Sequence, residues 1–210
     1  MNKYFYPIYK MKLKPWIKYW LLKKTSKRLP EEFQEVEWIE ATGTQFTYLR
    51  NKLTNPIVKF RAETSMFFGE KNTRQLNGCY ATLFFGKNIA GNYEINSKDT
   101  KIPCSTNSFD KIIWMVEPNK TTLNVNGNTW KSNITLQSGN QYFYLFALGS
   151  NSFTCNAKMK YFKIYEEDRI IYNMIPCYRK NDDVIGLYDT VNNEFYTNTG
   201  SGTFEKGSDV

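Results

Sequence analysis

The chain has 210 residues, with 28 Lys and Arg against 20 Asp and Glu for a formal net charge of +8, 17% aromatic residues and four cysteines. That length can bury one good core, so one domain plus an appendage is expected. There is no histidine, which excludes Ser-His-Asp and Cys-His catalysis and His-ligated zinc.

The charge is unevenly placed. Residues 1–30 hold nine of the basic residues and no acid, which leaves 19 basic against 20 acidic residues in 31–210. The basicity therefore belongs to an N-terminal arm. Its aromatics, among them Tyr4, Phe5, Tyr9, Trp16 and Trp20, are too many for a solvated linker, so the arm is expected to be docked on a partner. Tyr9, Met11 and Leu13 alternate with Lys10, Lys12 and Lys14, placing the three lysines on one side of an extended segment. Pro15 ends that segment and can open a short helix over residues 16–24, with Trp16 and Trp20 one turn apart. Lys18 and Lys24 fall on opposite sides of this helix, unlike the clean apolar face of a membrane-lying one. The longest uncharged run here, residues 4–9, is too short for a secretory leader or a membrane span. Tyr4, Phe5, Tyr9, Lys10, Lys12, Lys14, Trp16 and Trp20 are the candidate anchoring residues. Their lysines alternate without Gly or Arg clustering, which favours an acidic protein surface over nucleic acid as the partner.

From residue 29 the pattern is of strands. Residues 33–40 alternate in part and predict a first strand, residues 41–44 a turn, and residues 45–49 a second strand. Residues 57–62 alternate strictly, while 65–69 and 79–85 are denser apolar runs suited to a layer between two sheets. Residues 70–78 and 86–101 are polar and predict loops. Strands are predicted at 109–116 and 121–125, with Asn126-Gly127 as a hairpin turn before Trp130. Residues 142–148 alternate Tyr142, Tyr144, Phe146 and Leu148 against Phe143, Leu145 and Ala147, predicting a central strand. Further strands are expected at 157–166 and 169–176. Ile185, Leu187 and Asp189 then alternate with Gly186 and Tyr188, and Phe195 with Tyr196, around an Asn192-Asn193 turn. About a dozen short strands at this spacing predict an all-β, two-sheet antiparallel sandwich. Cys79, Cys104, Cys155 and Cys177 lie far apart in apolar runs and read as buried free thiols.

Two stretches resemble a known family. Ile175-Pro176-Cys177-Tyr178-Arg179-Lys180, Gly186-Leu187-Tyr188-Asp189, Val191-Asn192-Asn193, Phe195-Tyr196-Thr197-Asn198 and Gly200-Ser201-Gly202-Thr203-Phe204 form the first. Leu29-Pro30, Glu35 to Glu40 and Thr42-Gly43-Thr44-Gln45-Phe46 form the second. Together they resemble the concanavalin A-like (laminin-G-like) jelly-roll domains of bacteriophages and prophages. The resemblance covers residues 29–207 and implies an arm at 1–28 followed by a jelly roll at 29–210. Thr47-Tyr48-Leu49-Arg50 departs from the family, which usually continues with an Asp-Thr-Gly-like segment.

Glycanases share this fold and need two carboxylates about 5–5.5 Å apart for retention. Glu35 and Glu37 have an i, i+2 spacing, but Val36 sits where the glycanase pattern carries Asp, and the expectation is no enzyme activity. Calcium supports sugar binding in some relatives; Asp182, Asp183, Asp189, Asn192 and Asn193 are the densest oxygen cluster, yet turn geometry accounts for them, and no cofactor is expected. Trp114, Trp130, Tyr142 and Tyr144 are the candidate glycan-binding residues. The resemblance implies a non-enzymatic virion protein, a capsid decoration or tail appendage. It would be made in the host cytoplasm, present in many copies, anchored to other virion proteins by its arm, and turned towards host or mucosal glycans. A purely architectural subunit that binds no sugar is the alternative, and a glycan hydrolase a third.

Overall fold

The computed structural model describes residues 28–50, 59–70, 73–79, 83–133, 142–149 and 153–210. The chain divides into two compact units, Met1–Pro30 and Glu31–Val210, and the second holds every strand that follows. In order these are β1 (Phe33–Glu35), β2 (Ile39–Thr42), β3 (Thr47–Tyr48), β4 (Phe60–Phe68), β5 (Gln75–Cys79) and β6 (Leu83–Lys87). Then come β7 (Asn92–Ile95), β8 (Lys98–Pro103), β9 (Asp110–Glu117), β10 (Lys120–Val125), β11 (Asn128–Ser132) and β12 (Tyr144–Leu145). The last five are β13 (Asn156–Glu166), β14 (Arg169–Arg179), β15 (Val184–Asp189), β16 (Glu194–Thr197) and β17 (Glu205–Lys206).

The strands form two antiparallel sheets, as expected of an all-β sandwich. The large sheet runs β11-β10-β9-β4-β13-β14-β15-β16, with β1 on β14 and with β2 joined to β13 and β17. The small sheet runs β3-β12-β5-β6-β7-β8. Between them lies a column of rings. Trp114 packs edge-on to Phe60 at 5.6 Å and tilted to Phe85 at 5.4 Å, and Phe143 bridges Phe60 at 6.2 Å and Phe162 at 5.6 Å. Such pairs bury large apolar areas and add geometric preference to them, so they set the spacing of the layers.

Where turn chemistry and alternation are local, the sequence reading holds. Asn126 (φ 49°) and Gly127 (φ 93°) close the β10–β11 hairpin in the left-handed backbone that Asn-Gly favours. Asn193 and Asp183, both at φ 55°, play the same part at either end of β15. Among the described residues there is no helix.

The differences arise where contacts distant in the chain override the local pattern. Residues 33–40 are two strands, because the chain bends at Glu37, whose N–H donates to Ser208 O. The runs at 57–62 and 65–69 belong, as far as they are described, to one long strand, β4. The polar stretch 70–78 contains β5: Gln75 Oε1 accepts the Asn156 N–H at 2.7 Å, and Asn77 Oδ1 accepts the Phe146 N–H at 2.7 Å. The polar stretch 86–101 contains the β7–β8 hairpin, turned by Asn96 and Ser97 at positive φ, with Glu94 buried against Arg74 at 2.6 Å. The predicted strand at 142–148 shrinks to β12. Phe146 stands at φ 65°, which breaks the alternation and turns its ring into the core against Phe204.

All four cysteines are buried free thiols. Burial pushes Cys79, Cys104 and Cys177 up to about 12 from the usual 9.0. The folded state holds these protons more tightly, so their stabilising contribution is complete below pH 9 and is lost as pH rises from 9 towards 12. Ellman's reagent at pH 8 should therefore label no thiol in the folded protein and all four in denaturant, and urea stability should fall above pH 9. Rapid labelling of the native chain would contradict this account.

Candidate functional site

One group of partly accessible aromatic side chains lies on the outer face of the small sheet, at the β3–β12 edge. Leu145 lies opposite Thr47 and Tyr144 opposite Tyr48, and the Leu49 N–H donates to Phe143 O at 2.9 Å, which extends the same ladder. Thr47, Leu49, Phe143 and Leu145 are buried between the sheets, so the residues alternating with them point outward. Continuing the register sets Arg50 opposite Tyr142. The result is a two-by-two square of Tyr48, Tyr144, Arg50 and Tyr142. The Tyr48 ring lies 5.0 Å from Tyr142 and 5.6 Å from Tyr144, and buried Phe46 supports Tyr144 at 6.0 Å.

The large sheet supplies the wall beside it. Glu194 on β16 receives Arg50 Nη1 at 3.5 Å and the Tyr196 hydroxyl at 2.6 Å, while the Arg50 guanidinium lies 5.5 Å from the Tyr196 ring centroid. Arg50 is 58% exposed and Glu194 32%. The guanidinium is thus steered by one carboxylate without being enclosed, and it keeps donors available for a bidentate acceptor. Burial, and then the neighbouring Tyr48 and Tyr142, hold the Tyr144 phenol above its ordinary value, so it remains a neutral donor. Rigid, half-exposed rings beside a planar guanidinium can stack on the C–H face of a sugar and hydrogen-bond its hydroxyls.

The structure separates the four predicted glycan-binding residues. Tyr142 and Tyr144 are in the square. Trp114 is fully buried at the centre of the core, and its Nε1 donates to Thr121 Oγ1 at 2.9 Å, so no ligand can reach its face. Trp130 pairs with core residue Leu123 across β10–β11 and packs inward, where it closes the end of the sandwich. Trp114 is a correction to the sequence reading, because strand alternation does not reveal which face a second sheet covers; Trp130 stays half-buried, apart from the square. Sequence reasoning missed Tyr48, Arg50 and Glu194. The available signal was the departure from the family pattern at 47–50, which contributes two corners of the square.

The predicted anchoring residues Tyr4, Phe5, Tyr9, Lys10, Lys12, Lys14, Trp16 and Trp20 lie outside the described residues. Glu35 ends β1 opposite Cys177 and Glu37 falls at the bend after it, so the two carboxylates do not share an uninterrupted strand. Two carboxylates of the predicted oxygen cluster, Asp182 and Asp189, are engaged within the protein. Asp189 is buried and accepts the N–H groups of Asn173 at 2.9 Å and Val191 at 3.0 Å and the Asn192 amide, while Asp182 pairs with Arg179 at 2.6 Å.

No protein-family model matches the sequence, and none of the curated proteins does. Among solved structures, the fold is similar to that of a protein from Bacteroides ovatus described as a candidate carbohydrate-binding protein, with a TM-score of 0.58 and 11% identity. The likeness covers 84% of this chain and 62% of that one, so the chain spans less than two thirds of that protein's length. At this identity what the two share is the fold, a two-sheet antiparallel β-sandwich.

Proposed function

We propose that the sandwich is a non-enzymatic, lectin-like module that holds a glycan on Tyr48, Arg50, Tyr142 and Tyr144. The observation that carries this reading is the square itself, three rings and a partly free guanidinium on one accessible sheet edge. The fold shared with the Bacteroides ovatus protein supports it. We further propose that the module belongs to a bacteriophage or prophage particle, joined to other virion proteins by residues 1–28. The support for that is the resemblance of residues 175–204 to phage jelly rolls and the concentration of nine basic residues, with no acidic one, in residues 1–28 of the sequence.

A glycan array of the whole chain, with and without calcium, tests the first part. At least one glycan class should be retained, and Tyr48→Ala or Arg50→Ala should weaken it by about tenfold or more while leaving thermal stability nearly unchanged, because both side chains face solvent. Absence of binding under every condition would favour a purely architectural subunit. For the second part, a chain lacking residues 1–28 should fold and yet fail to join the particle; normal assembly of that truncation would remove the anchor.

A further inference from the structure

Strand β13 builds a second surface, on the outer face of the large sheet. Its fully buried side chains are Ala157, Met159, Phe162 and Ile164, so one inward step spans three residues instead of two. The register against β4 shifts at that step, between Met159 and Tyr161. This is a β-bulge, and it turns two successive side chains to the same side. Lys160 and Tyr161 therefore both face outward, followed by Lys163 and Tyr165 in ordinary alternation. Across the sheet Tyr161 lies opposite Ser65, and Ser65 opposite Lys111. A small side chain thus separates the Tyr161 ring from a third lysine, over two strand spacings of about 4.8 Å each.

The charges on this surface are incompletely matched. Lys158 is paired with Glu40 at 3.4 Å, and Arg61 with Glu63 at 3.1 Å, the Arg61 guanidinium covering the Tyr165 ring at 4.0 Å. Glu117, at the far end of β9, faces Lys120 at 3.7 Å. Lys111, Lys160 and Lys163 enter no ion pair among the described residues. Lys160 lies 4.5 Å over the Phe109 ring and Lys163 5.6 Å over Tyr161, so the ammonium groups are held beside aromatic surface. Residues 31–210 are close to neutral as a whole; what distinguishes this face is that Lys160 and Lys163 stand over aromatic rings, with Glu63 opposite Lys163 across the β13–β4 ladder.

We propose that this strip binds a linear acidic polysaccharide, with a sugar ring on Tyr161 and carboxylate or sulfate groups held by Lys111, Lys160 and Lys163. It is a different surface from the tyrosine square and does not depend on glycan binding there. A neutral sugar would leave the lysines unmatched. A nucleic-acid site would need a longer run of cations to hold a phosphate backbone at physiological salt.

Titration calorimetry of the whole chain with polygalacturonate oligosaccharides and with heparin fragments, at low and physiological salt, tests the proposal. One or both should bind, less tightly as salt rises. The double variant Lys160→Gln/Lys163→Gln should bind about tenfold or more weakly, since charge-assisted hydrogen bonds are lost. Lys120→Gln and Tyr48→Ala should bind as the parent does, the latter separating this surface from the square. Failure of both polyanions to bind, equal binding by the double variant, or stronger binding of a single-stranded DNA of similar charge would overturn it.

Discussion

Replacing Asp110 with alanine is expected to cost about 3–5 kcal/mol of folding stability, read as a lower urea midpoint with an unchanged slope. Asp110 is 2% exposed at the start of β9, where the loop after β8 and the β10–β11 turn converge. Its carboxylate accepts the Tyr93 hydroxyl at 2.8 Å, the Ser105 N–H at 2.8 Å, the Ser105 hydroxyl and the Asn126 amide at 2.6 Å. Each donor left without a partner in a buried position costs about 1–3 kcal/mol, though the three on Ser105 and Asn126, nearer the surface, can recruit water. Tyr93 cannot: it is fully buried, and burial, then the neighbouring Cys104 and Asp110, keep its phenol protonated. Asp110→Asn preserves volume but replaces one acceptor oxygen with a donor, so it should recover only part of the loss. A change below about 1 kcal/mol in Asp110→Ala would mean that the network is ornamental.

Trp114→Ala should be of similar size, about 3–5 kcal/mol, as is usual for removing a large core aromatic. Its ring touches Phe60 from its own sheet and Phe85 from the other, so truncation opens a cavity in the column that spaces the two layers. The Trp114 Nε1–Thr121 bond goes as well, but the Thr121 hydroxyl keeps Met115 O at 3.2 Å, so the cavity is the larger effect. Trp114→Phe should recover most of the stability. Trp130→Ala, at the partly exposed end of the sheet, should cost less than half as much. If the two tryptophans proved equal in thermal melts, the assignment of Trp114 to the centre and Trp130 to the rim would be wrong.

The candidate site was half legible. Tyr142 and Tyr144 are candidates in the sequence as aromatic residues, and alternation does place them on one face. Tyr48 lies within, and Arg50 just after, a predicted strand at 45–49 that is too short for its pattern to show which face is exposed, and Glu194 reads as an ordinary turn-flanking acid. Their meeting is a matter of ladder register and of the approach of β16 to β3, with Arg50 and Glu194 separated by 144 positions. No local signal encodes such a contact. The bulge on β13 left a trace in the sequence as Met159, Phe162 and Ile164, a period of three inside a period of two, but that trace means a bulge only once β4 supplies the other side of the register.

By itself the sequence determined the features that depend on neighbours in the chain: the all-β class, the Asn126-Gly127 and Asn192-Asn193 turns, the existence of strands β9, β10 and β13 to β16, and four thiols placed among apolar residues. Only the tertiary structure decided which polar residues are inside. Gln75 and Asn77 are buried because they receive backbone N–H groups from 81 and 69 positions away, and Trp114 is inaccessible because the small sheet lies over it. Alternation shows that a strand has two faces. Which face is wet depends on the layer packed across it, and that layer comes from distant parts of the chain.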